Sequence, residues 1–127
     1  MSEPRPMSQT LQRLLDVQRE MHQRARAVDA EVERASMAEA SAVADFKLAH
    51  ATAYLAAEGP VATKTAVADR DTIALFRGME IAKALRRAAM EASSTLHHEL
   101  DALAAIAHTA NREMKTELEL AGPGRGR

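Results

Sequence analysis

The chain has 127 residues, enough for one domain, and its hydrophobic fraction of 46% is dominated by alanine, with only Phe46, Phe76 and Tyr54 as aromatics. That composition excludes a thick multilayer core and suits close packing of long helices along a narrow buried stripe. The absence of cysteine excludes disulfides, thiolate metal sites and thiol catalysis, and a net charge of −1 argues against the strong basic field of a duplex-DNA binder.

Residues 1–9 carry Pro4 and Pro6 and are expected to be disordered, with Ser8 or Thr10 capping a first helix over about residues 10–58. Neither proline nor glycine interrupts that stretch. Alternating steps of three and four trace Leu11, Leu14, Gln18, Met21, Ala25, Val28, Val32, Ala35, Glu39, Ala42, Phe46, Ala49, Ala53 and Ala56. All but Gln18 and Glu39 are apolar, the pattern of a coiled-coil seam.

Gly59-Pro60 then stands as a break, because glycine closes a helix in a left-handed conformation and proline fits the first turn of the next. A second helix is expected over about residues 61–120, with a seam through Ala68, Thr72, Leu75, Met79, Ala82, Arg86, Ala89, Ser93, Leu96, Leu100, Leu103, Ala107, Ala110 and Met114. The seam is weakest between Ala82 and Ser93, and with Gly78 close by a kink or thinned contact is expected there. Residues 122–127, with Gly122-Pro123-Gly124 and two arginines, form a flexible basic tail.

The predicted fold is therefore all-α: two long helices, ~70 Å and ~85 Å at 1.5 Å per residue, in an elongated hairpin or coiled coil. Such a pair buries little surface per residue, so completion by homo-oligomerisation is expected. No run approaches the length and apolarity of a membrane span and the first residues lack a signal-peptide core, which points to the cytoplasm.

Searches for chemistry give little. His97, His98, Glu99 and Asp101 are close in sequence, yet a metal site needs three or four converging ligands and no second histidine-rich helix offers them. Ser93, Ser94 and Thr95 lie inside a helical pattern, and no nucleophile elbow, phosphate loop or dinucleotide fingerprint occurs. The expectation is no catalysis, no cofactor, no metal and no small-molecule substrate.

Basic residues carry the remaining signal. Arg13, Arg19, Arg24 and Arg26 are interleaved with acids and read as a solvated, ion-paired face. Lys47, Tyr54, Lys64 and Arg70 flank the break, and Lys83, Arg86 and Arg87 cluster farther on. Repeated in an oligomer, these seven residues could form a stripe that grips a nucleic-acid backbone.

The stretch from Ala44 through Lys47, Tyr54 and Gly59-Pro60 to Asp69, and the run from Leu96 to Arg112, resemble small helical proteins of actinobacterial tailed phages and prophages. The helix, tyrosine-containing segment, polar break and second helix are also similar to UvsY-class recombination mediators. That resemblance implies a helical oligomer of a recombination or replication module that binds single-stranded DNA or a recombination protein, with Lys47, Tyr54, Lys64 and Arg70 facing the DNA. The competing expectation is a structural or adaptor coiled coil, for virion assembly, scaffolding or host-protein binding, whose seams make all the contacts. A toxin–antitoxin or secretion-type hairpin is a third reading, the secretion version lacking its Trp-x-Gly turn.

Overall fold

A computed structural model describes residues 6–121, and the tail read over residues 122–127 lies outside them, as do residues 1–5. The fold is all-α. Three helices follow in order, α1 (Pro6–Ala56), α2 (Val61–Asp71) and α3 (Ile73–Ala121), and no strand occurs among the described residues.

Two boundaries differ from the sequence expectation. Helix α1 starts at Pro6, so residues 6–9 are helical instead of disordered; a first-turn proline loses no hydrogen bond, because the first amides of a helix lack intrahelical partners anyway. The second long helix is divided in two at Thr72, which has φ −113° and ψ 13°. Its hydroxyl donates to the Ala68 carbonyl at 2.7 Å, competing with its own amide, which reaches the same oxygen at 3.1 Å. Such back-bonding bends helices. Gly78 and the stretch from Ala82 to Ser93, where a kink or a thinned contact is expected, lie within the unbroken α3, so no kink falls there.

The α1–α2 connection is residues 57–60. The Ala57 amide still bonds to the Ala53 carbonyl at 3.1 Å, after which Gly59 turns the chain at φ +108°, a value that side chains rarely permit. Pro60 is extended, with φ −63° and ψ 162°, and lies just before α2; its carbonyl accepts the Lys64 amide at 3.0 Å and starts the new helix.

Two compact units share these helices, one formed by Val28–Ser93 and the other, among the described residues, by 6–27 with 94–121. In the Val28–Ser93 unit, contacts pair residues on either side of the loop and move away from it in opposite chain directions. Lys64 meets Tyr54, Asp69 meets His50, Phe76 meets Phe46, Arg86 meets Ser36 and Ser93 meets Asp29. Its buried residues are Ala35, Ala68, Thr72 and Met79, with Val28, Val32 and Phe46 half-buried. Leu75, read as a seam residue, is instead 42% exposed. Beyond the break at Thr72, the residue whose ring meets α1 is Phe76, edge-on to Phe46 with centroids 5.6 Å apart.

In the other unit Ala25, Leu100 and Ala107 are buried, and Leu11, Leu14, Met21, Leu96, Leu103 and Met114 are half-buried. In both units burial falls at intervals of three and four and the most buried position is usually an alanine, so each core is one side chain deep.

Candidate functional site: an open apolar groove beside a polar edge

The Val28–Ser93 unit has two unlike edges, and helical phase explains both. Along one edge, Asp29, Ser36 and His50 stand seven and fourteen residues apart on one face of α1, and each is matched by a polar residue of α2 or α3. Ser93 Oγ donates to Asp29 Oδ1 at 2.7 Å, and Arg86 Nε donates to Ser36 Oγ at 3.2 Å while its Nη1 lies 3.6 Å from Glu39 Oε2. His50 Nε2 lies 2.8 Å from Asp69 Oδ1, with the Phe46 ring 5.5 Å from the imidazole. These bonds fix α1 against its neighbours and consume the polar groups that make them.

The opposite edge is apolar and open. Ala35 and Ala38 of α1 face Gly78, Ile81, Leu85 and Ala88 of α3 across a groove of about 650 Å³. Glu31 and Arg34 stand at its rim, ion-paired to each other. Ile81 and Leu85 are both 61% exposed, although large aliphatic side chains are usually buried. In the other unit two shallow depressions are formed by α3 residues alone, such as Thr109, Arg112 and Leu120.

The seven residues read as a nucleic-acid surface are not brought together as one free basic patch. The Lys64 ammonium sits over the Tyr54 ring, 5.0 Å from its centroid, so the only tyrosine has one face covered by a cation instead of open to a base. Arg70 pairs with Asp71 at 3.1 Å, Lys83 with Glu80 at 3.4 Å, and Arg86 is spent on the α1–α3 contact. Lys47 and Arg87 are exposed and have no ion-pair partner among the described residues.

Sequence reasoning passed over Ile81 and Leu85. They belong to a three-four series displaced by one residue from the Met79–Ala82–Arg86 seam, and the alanines elsewhere in that series mask its apolar character.

No metal-binding group of three or more His, Cys, Asp or Glu occurs among the described residues, and no described helix is long and apolar enough to cross a membrane. His98 Nδ1 donates to the Ser94 carbonyl at 2.7 Å, a bond within its own helix. No protein-family model matches the chain, and no significant match to a curated protein or a solved structure was found.

Proposed function

We propose that the chain is a non-catalytic helical interaction module, a hairpin with coiled-coil packing that is completed by self-association and serves as a structural or adaptor component, of the kind found in phage assembly or replication machinery. The observation that carries this reading is the apolar groove over Ala35, Ala38, Ile81 and Leu85, set opposite an edge whose polar groups are already bonded. Leaving Ile81 and Leu85, each 61% exposed, in water is unfavourable at about 25 cal/mol per Å² of apolar surface, and association removes that cost.

Single-stranded DNA binding is the second reading, favoured by Lys47 and Arg87, whose charges no carboxylate offsets among the described residues. Sedimentation of the chain with and without a labelled oligonucleotide at low salt separates the two. The assembly reading expects a mass above 13.8 kDa without nucleic acid and no co-sedimentation of the oligonucleotide. A chain that stays monomeric alone, or assembles only on the oligonucleotide, contradicts it.

A further inference from the structure

We infer that the groove of the Val28–Ser93 unit is the docking face for a second copy of this chain, seated antiparallel about a two-fold axis near Ala84. This rests on the self-association reading and specifies its surface and geometry. Along α3, Ala74, Gly78, Ile81, Leu85, Ala88 and Ala92 step by four and three, and every one is exposed. The spacing is that of a helix-packing seam, and it lies one residue from the stripe that already faces α1. At Gly78 a side chain would meet nothing within 4 Å, so the backbone there is open to close approach.

Charge identifies the occupant and its direction. The outer flank of the stripe is Arg77, Ala84 and Glu91, exposed and seven residues apart, and neither charge has an ion-pair partner among the described residues. A parallel copy would put this flank of the two chains on opposite sides of the contact and leave both charges unpaired. An antiparallel copy instead sets Arg77 of each chain against Glu91 of the other, twice, with Ala84 meeting Ala84 between them and Ile81 beside Leu85. Opposite charges across antiparallel helices favour that direction. A two-fold contact is also isologous, so one stripe supplies both halves of the interface.

Charge reversal tests this by sedimentation at low salt. The expected result is a wild-type dimer, a monomer for Leu85→Asp with helicity retained by circular dichroism, and dimers weakened on the order of fivefold by Arg77→Glu or Glu91→Arg alone. The double variant Arg77→Glu with Glu91→Arg recovers wild-type affinity, because each reversed pair is again opposite in sign. All three charge variants alter only exposed side chains, so they remain informative if Leu85→Asp fails to fold. A double variant as weak as either single one, or a wild-type mass retained by folded Leu85→Asp, overturns the two-fold docking while self-association stands. A monomeric wild type overturns both.

Discussion

Three residues set conditions that no neighbour can relax. Gly59 has φ +108°, and its surroundings leave room for a side chain, with Thr63 atoms 3.7 Å away, so the obstacle to substitution is backbone strain and not space. Gly59→Ala should lower unfolding free energy by about 1–2 kcal/mol, measured by urea titration. Ala68 is fully buried at 0% exposure, and Ala68→Leu should cost about 1–3 kcal/mol through overpacking, read as a lower thermal midpoint. Arg86 holds Ser36 and Glu39 from across the helix pair; Arg86→Ala should lose about 0.5–1.5 kcal/mol, since its side chain is 42% exposed and solvent screens the ion pair. If Arg86 served mainly to hold nucleic acid, its removal would leave the thermal midpoint unchanged. At this scale the sequence told less than its pattern suggested: Arg86 stood out as a cation, but that it is bonded to Ser36 depends on a partner fifty positions away.

Helices were the most legible level. Neither glycine nor proline occurs from Met7 to Glu58, and the three-four spacing marks positions such as Ala25, Ala35, Met79, Leu100 and Ala107 where burial falls. The break at Thr72 was not legible, because threonine is ordinary in a helix and only its bond to the Ala68 carbonyl shows the bend. Gly78 illustrates the converse, a residue of low helix propensity carried without interruption by α3. Since an added methyl meets nothing within 4 Å, Gly78→Ala should stabilise the helix by about 0.5–1 kcal/mol, visible as a raised thermal midpoint in dilute solution. An unchanged or lowered midpoint there would mean that the glycine has a packing role within the single chain.

For the molecule as a whole, alanine decides what the fold can and cannot do. Small residues at the centres of both units allow close packing but bury little area, which is the physical ground for the proposed self-association. Sequence composition made that shortage visible, while the surface proposed to answer it was hidden among alanines until Ile81 and Leu85 were seen side by side on one edge. The most direct measurement uses the absence of cysteine. Ala84→Cys provides a single thiol at the proposed two-fold axis, and Ala44→Cys an exposed thiol outside the groove. Under mild oxidation the account predicts rapid conversion of the Ala84→Cys chain to a disulfide-linked species of twice the 13.8 kDa chain mass, with the Ala44→Cys chain lagging far behind. Equal rates for the two thiols would contradict it.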